Sequence, residues 1–286
     1  MKTIMVLGAG YMGSGIAQVC ATYGYRVLLW DINMELAEKG KAGIDAGLVK
    51  QVARGKLTEE RRQEILDNLI PCVECESASE AELVIEVVVE NMELKKALYA
   101  RIEPHCADAT IIGTNTAFLP ISKLAEGLKR PERFIGLHFF GPVYAMKLLE
   151  IIRGEKTSDE TVAYAQAWAP TIGKESVLIN KDSPGFIVNR INFATYTEAY
   201  RVMQEGVATI EDIDKALRLG LNHPMGVFDL NDYGGLKNVR DCLAIMHELT
   251  GDDRYAPVPE LDALVEQGHL GVKTGRGWYD YSKKDE

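Results

Sequence analysis

Missing from this 286-residue sequence is any apolar run near the roughly 18 to 20 residues needed to cross a bilayer. Mean hydropathy is −0.09, and no membrane is expected as a partner. Cations are outnumbered, 32 Lys and Arg against 42 Asp and Glu, for a formal net charge of −10. That field repels polyanions, so nucleic acid is not expected either, while a local basic pocket for a small phosphate stays allowed. Cysteine is scarce: Cys20, Cys72, Cys75, Cys106 and Cys242 are odd in number and scattered, which excludes a disulfide framework and fits a reducing compartment. Cys72-Val73-Glu74-Cys75 has no second such pair and no nearby His pair, so its spacing is read as chance and no metal is expected. The apolar start, Met1 to Leu7, runs straight into Gly8-Ala9-Gly10; it is too short for a secretory signal, and the chain is expected in the cytoplasm. Internal repeats, low-complexity tracts and flexible linkers are absent as well.

What is present is ordinary globular composition, 47% hydrophobic and 26% charged, at a length that suits one large or two ordinary domains. Short β-branched, apolar segments recur at Lys2–Leu7, Arg26–Trp30, Leu83–Val88, Thr110–Gly113, Phe134–Leu137, Lys147–Ile152 and Ser176–Ile179. Helical periodicity separates several of them, as at Ser14–Tyr23, Met34–Arg54 and Glu93–Cys106. Such alternation predicts a mostly parallel sheet with helices on both faces. The helical pattern from Met34 to Asp67 is broken by Arg54-Gly55-Lys56, which predicts a protruding helical pair. After Asp182-Ser183-Pro184-Gly185 the texture turns helical, over Phe186–Glu205, Ile210–Leu219, Leu236–Leu249 and Glu260–Gln267, with Gly206, Gly220, Gly251 and Gly268 placed as C-terminal caps.

Gly8-Ala9-Gly10-Tyr11-Met12-Gly13 follows the first strand and opens a helix. There the main-chain N–H groups and helix dipole would face a pyrophosphate. Gly8 permits the tight turn, Gly10 the close approach, and Gly13 the packing of helix on strand, while Tyr11 and Met12 begin the helix. Asp31 ends the second strand about 20 residues beyond Gly10, where a carboxylate accepts from the adenosine ribose hydroxyls. Its charge repels a 2′-phosphate, and Ile32 and Asn33 bring no arginine, so NAD is favoured over NADP. The expected architecture is an α/β N-terminal Rossmann-type dinucleotide-binding domain over residues 1–183, then an all-α C-terminal domain over 184–286 for substrate and dimerisation.

His138 ends an apolar strand, and Glu150 interrupts another, Leu148-Leu149-Glu150-Ile151-Ile152. An unpaired carboxylate there would be costly to bury. If the two strands are neighbours, the pair forms a hydrogen-bonded dyad in which Glu150 orients the imidazole and His138 takes a proton from a substrate hydroxyl. A structural buried pair is the competing reading.

Six spaced stretches resemble the L-3-hydroxyacyl-CoA dehydrogenase family, 3-hydroxybutyryl-CoA dehydrogenases included, over essentially the whole chain. They are Val6–Gly13, Glu86–Asn91, Gly136–Phe140, Met146–Glu150, Asp182–Arg190 and Lys273–Tyr279. The resemblance implies His138 as general base, Glu150 as its orienting partner and Asn189 as a substrate-positioning residue. It places Glu90, Lys95 and Asn115 around the NAD ribose and nicotinamide, and makes Lys50, Arg54 and Lys56 candidates for the CoA phosphates. It also implies a homodimer. Two stretches depart from the family pattern: Thr114-Asn115-Thr116-Ala117-Phe118 replaces Ser-Asn-Thr-Ser-Ser, and Gly141 replaces Asn in His-Phe-Phe-Asn-Pro. Ala117 and Gly141 therefore remove polar groups beside the reacting carbon. The expected function is NAD-dependent interconversion of a short-chain L-3-hydroxyacyl-CoA and its 3-oxoacyl-CoA. The alternatives are a dehydrogenase of a non-CoA or atypical 3-hydroxy acid, and a catalytically weakened NAD-binding paralogue.

Overall fold

The computed structural model describes residues 2–282, which form two compact units divided between Phe186 and Ile187. The first holds eight strands: β1 (Thr3–Leu7), β2 (Arg26–Trp30), β3 (Leu69–Cys72), β4 (Leu83–Glu86), β5 (Ile111–Thr114), β6 (Phe134–Phe139), β7 (Leu148–Ile152) and β8 (Glu175–Ile179). They lie in the order β3-β2-β1-β4-β5-β6-β7-β8. Every neighbouring pair is parallel except β6 with β7. Six helices connect them: α1 (Tyr11–Thr22), α2 (Met34–Ala53), α3 (Glu59–Asp67), α4 (Met92–Ile102), α5 (Ile121–Leu124) and α6 (Asp159–Trp168).

The central strands are apolar throughout because both faces are covered. Along β1, Ile4 and Val6 join the core under α1, α2, α3 and α6, while Met5 and Leu7 join the opposite core under α4 and α5. That is the two-residue alternation of a pleated strand. Strand β3 escapes the sequence reading because Pro71 sits in it. As the outermost strand it tolerates the missing donor. Burial pushes the Cys72 thiol at its end up to about 12, far from a reactive thiolate. The expected strand Leu83–Val88 stops at Glu86, whose carboxylate turns inward and accepts the Val88 N–H at 2.7 Å. Gly55 takes a left-handed φ of 66° between the last turn of α2 and the start of α3.

The second unit is helical: α7 (Val188–Gln204), α8 (Ile210–Gly220), α9 (Val227–Gly234), α10 (Leu236–Thr250) and α11 (Pro259–Glu266). Gly206, Gly251 and Gly268 adopt positive φ just past α7, α10 and α11. Gly220 does not: it is the last residue of α8, and the left-handed position falls on Asn222 at φ 57°, a residue type whose short amide tolerates it. Helix α9 has too few residues to show periodicity and is capped from outside. Buried Asp214 accepts the N–H groups of Phe228 and Asp229 at 3.0 and 2.9 Å. A Cβ on Gly226 would lie 2.1 Å from the Asp214 Cγ, so only glycine admits that carboxylate. Among the described residues no helix is long and apolar enough to cross a membrane.

Candidate active site

Antiparallel pairing of β6 with β7 sets His138 directly opposite Glu150. Directly opposed residues share a sheet face, and here Nδ1 of His138 lies 2.7 Å from Oε2 of Glu150, with both side chains buried. The imidazole packs against Phe140, ring centroids 4.5 Å apart, and Phe186, at 5.6 Å. Phe186 is buried and holds a left-handed φ of 51°. For a bulky residue this is strained, and such strain persists only where the surroundings enforce it. No sequence feature marked Phe186 as a neighbour of His138 beyond its place after Gly185.

At the carboxyl end of β5, Asn115 accepts the Phe139 N–H through Oδ1 at 2.8 Å and so ties the end of β5 to the end of β6. The following turn is gathered by Glu90. Its Oε1 accepts from the Thr116 hydroxyl at 2.5 Å and from the N–H groups of Ala117 and Phe118 at 2.9 and 3.0 Å. Ala117 is half-buried on that turn, and the Phe118 ring is buried. Lys95, wholly buried, donates to Glu86 Oε1 at 2.7 Å and lies 3.6 Å from Glu90 Oε2, so it meets this turn through Glu90. Glu86 also accepts from the Tyr99 hydroxyl at 2.5 Å and the Thr114 hydroxyl at 2.8 Å. Burial, reinforced by the Glu86 charge, pushes the Tyr99 phenol well above its ordinary value and keeps it a donor. Glu86 went unassigned in the sequence, yet a carboxylate inside an apolar strand was the same signal that marked Glu150.

Two cavities flank the glycine loop. One, of about 540 Å³, is lined by Gly8, Gly10, Asp31, Val88, Leu94 and Arg101 among others. The residues fit a dinucleotide. Gly8 has φ 110°, and a Cβ on Gly13 would lie 1.8 Å from the Gly8 carbonyl oxygen. A Cβ at Gly10 would meet open space, and no side chain caps the N-terminus of α1, so its N–H groups are left for an anion. Asp31 accepts the Ala9 N–H through Oδ2 at 2.8 Å, which anchors the loop to the end of β2.

The second cavity, of about 530 Å³, runs between α1 and α2 to the loop joining β6 and β7. Gly43 and Gly47 line it. Lys50 and Arg54 follow at the three- and four-residue spacing that continues their helix face, and both are exposed, as is Lys56. Buried Lys174, unassigned in the sequence, pins the β6–β7 loop from behind: its ammonium donates to the carbonyls of Val143 and Met146 at 2.5 and 2.6 Å. Burial lowers its pKa. The structure thus gathers Gly8, Gly10, Asp31, Glu90, Asn115, Ala117 and His138 along the carboxyl edge of the parallel strands, where open α/β sheets bind ligands. Asn189 stands half-buried in the first turn of α7, in the second unit. Among the described residues no group of three or more His, Cys, Asp or Glu side chains is arranged to hold a metal ion.

Comparisons with known proteins fit this arrangement. The family model described as 3-hydroxyacyl-CoA dehydrogenase, NAD binding domain, matches residues 3–183, and the one described as 3-hydroxyacyl-CoA dehydrogenase, C-terminal domain, matches residues 185–281. A probable 3-hydroxybutyryl-CoA dehydrogenase of Bacillus subtilis is 42% identical over 284 residues, covering 99% of each chain. The 3-hydroxyadipyl-CoA dehydrogenase of Escherichia coli is 40% identical over 287 residues, which are 100% of this chain and 60% of that protein. The crystal structure of (S)-3-hydroxybutyryl-CoA dehydrogenase from Ralstonia eutropha superposes with a TM-score of 0.93 at 38% identity, over 99% of this chain and 100% of that one. The chain belongs to the 3-hydroxyacyl-CoA dehydrogenase family and is an NAD-dependent oxidoreductase.

Proposed function

We propose that the protein interconverts a short-chain L-3-hydroxyacyl-CoA and the corresponding 3-oxoacyl-CoA, with His138 as the general base. The observation that carries this reading is the buried His138–Glu150 hydrogen bond at the same sheet edge as the glycine loop. A carboxylate facing Nδ1 makes that nitrogen the donor, so Nε2 keeps its lone pair for the proton of the substrate's 3-hydroxyl. NAD, when bound, supplies the hydride acceptor. Asp31 would accept from the adenosine ribose hydroxyls, and the Glu90-held turn with Asn115 and Lys95 would border the ribose and nicotinamide. Asn189 would position substrate, and Lys50 and Arg54, on the face that carries on from the glycine-lined cavity, would take the CoA phosphates. Ala117 offers no hydroxyl to the reacting oxygen. One lost donor at such an oxygen costs on the order of 10²-fold to 10³-fold in rate, so short 3-oxoacyl-CoA turnover should rise in Ala117→Ser.

The second unit exposes Ile191, Leu219, Leu221 and Tyr233, apolar surface suited to pairing two such units in a homodimer. The five free cysteines favour the reducing cytoplasm. The test is to mix the protein with NADH and either acetoacetyl-CoA or free acetoacetate and follow NADH absorbance. Oxidation with the thioester alone is expected. Oxidation with the free acid alone would transfer the activity to a non-CoA 3-hydroxy acid, and none with either would refute a short-chain dehydrogenase.

A further inference from the structure

Residue 141 carries no side chain, and the space beside it is taken. A Cβ on Gly141 would lie 3.0 Å from Cε1 of Tyr11 and 3.3 Å from both the Tyr11 hydroxyl and the Met12 sulfur. The loop has no room to retreat. Val143 presses on α1 at Gly15, where an added Cβ would stand 2.9 Å from the valine Cγ2, and Lys174 grips the carbonyls of Val143 and Met146 on the other side. Tyr11 is the exposed member of this contact, 73% exposed at the first position of α1. It lines the cavity between α1 and α2 together with Pro142, Val143 and Tyr144, and it is absent from the lining of the cavity on the Val88 and Leu94 side, although Gly10 and Asp31 border both.

We propose that Tyr11 and Gly141 form one specificity-determining pair, in which the phenol occupies the space of a side chain at 141 and bounds the substrate cavity where it abuts the loop after His138. The proposal rests on the acyl-CoA reading of that cavity. It gives Tyr11 two separable duties: its main chain opens the helix toward the cofactor, and its ring meets the substrate with an aromatic face and a hydroxyl. A side chain added at 141 must displace the Tyr11 ring, which borders that cavity. Gly141→Asn must therefore be judged in a Tyr11→Ala background, since with Tyr11 in place the added carboxamide displaces the ring before it can meet substrate.

A double-mutant cycle tests the pairing with the smallest perturbation, Gly141→Ala, made with Tyr11 and with Tyr11→Ala. In the Tyr11 background kcat/KM for acetoacetyl-CoA should fall about tenfold, mainly through KM, as expected for contacting residues. In the Tyr11→Ala background the same change should cost less than about twofold. NADH affinity, read by fluorescence, should differ by less than about twofold between each Gly141→Ala protein and its own Tyr11 or Tyr11→Ala parent, a result that mere loss of fold would not give. Equal losses in both backgrounds, or no loss with Tyr11 present, would overturn the pairing. If the wild type reduces no 3-oxoacyl-CoA, the functional reading fails separately, and the cycle is read from the affinity of CoA itself, where equal losses again overturn it.

Discussion

Two carboxylates lie fully buried in the same sheet, Glu86 at the end of β4 and Glu150 within β7, and their surroundings differ. Glu86 is met by the buried Lys95 amine, two hydroxyls and a main-chain N–H. Glu150 faces the His138 imidazole. The first arrangement gathers donors from Val88, Lys95, Tyr99 and Thr114 around one carboxylate; the second sets a carboxylate against the imidazole proposed as general base. Burial of a carboxylate alone therefore does not mark a site, and the role proposed for Glu150 rests on its partner.

The largest effect expected from this contrast is on turnover. His138→Gln should lower kcat by about 10²-fold to 10⁴-fold with NADH affinity nearly unchanged, and Glu150→Gln should cost less and displace the pH–rate profile. Wild-type turnover in His138→Gln would reduce the dyad to a structural pair. Glu86→Gln should do the reverse. It removes the nearest carboxylate from buried Lys95 and leaves Glu90 at 3.6 Å, a loss of up to about 3–5 kcal/mol in stability, visible as a lower urea midpoint, while kcat of the folded fraction should fall far less than in His138→Gln. A Glu86→Gln protein as stable as wild type would erase the distinction. Asp31→Ala should weaken NAD binding by about tenfold, the scale of one charge-assisted hydrogen bond, and narrow the preference over NADP. A wild-type preference for NADPH would contradict the assignment. The smallest effect concerns cysteine: burial pushes Cys20 and Cys72 up to about 12 and Cys106 up to about 11. Peptide mapping after iodoacetamide at pH 8 should find these three unmodified in the folded protein, and rapid labelling of any of them would place it at an exposed surface.

Local signals were readable and long-range ones were not. Strand β2 lies where its apolar run begins and ends, and Glu150 stood out against an uninterrupted apolar background. Pro71 hid β3, because a missing donor argues against a strand unless that strand is known to be outermost. Glu86 was absorbed into a run of valines and isoleucines, although it carried the same signature as Glu150. The grip of Lys174 on the Val143 and Met146 carbonyls, and the seating of Tyr11 on Gly141, join residues far apart in the chain. No periodicity encodes such contacts, and they emerge only once α1, β6 and β8 are packed.

The antiparallel step between β6 and β7 has a consequence for how such an enzyme changes over evolutionary time. Register there is held by the ladder itself, which pairs Gly136 with Ile152, Leu137 with Ile151 and Phe139 with Leu149 around the His138 and Glu150 pair. A slip of one residue would turn the carboxylate to the opposite face of the sheet, so the ladder is intolerant of change. Residues 140–147 take no part in that ladder, although Lys174 holds the carbonyls of Val143 and Met146. Side chains at the exposed tip of this segment, such as Tyr144, can be exchanged while the imidazole and the carboxylate stay in alignment, so that tip can vary without rebuilding the hydrogen-bonded pair.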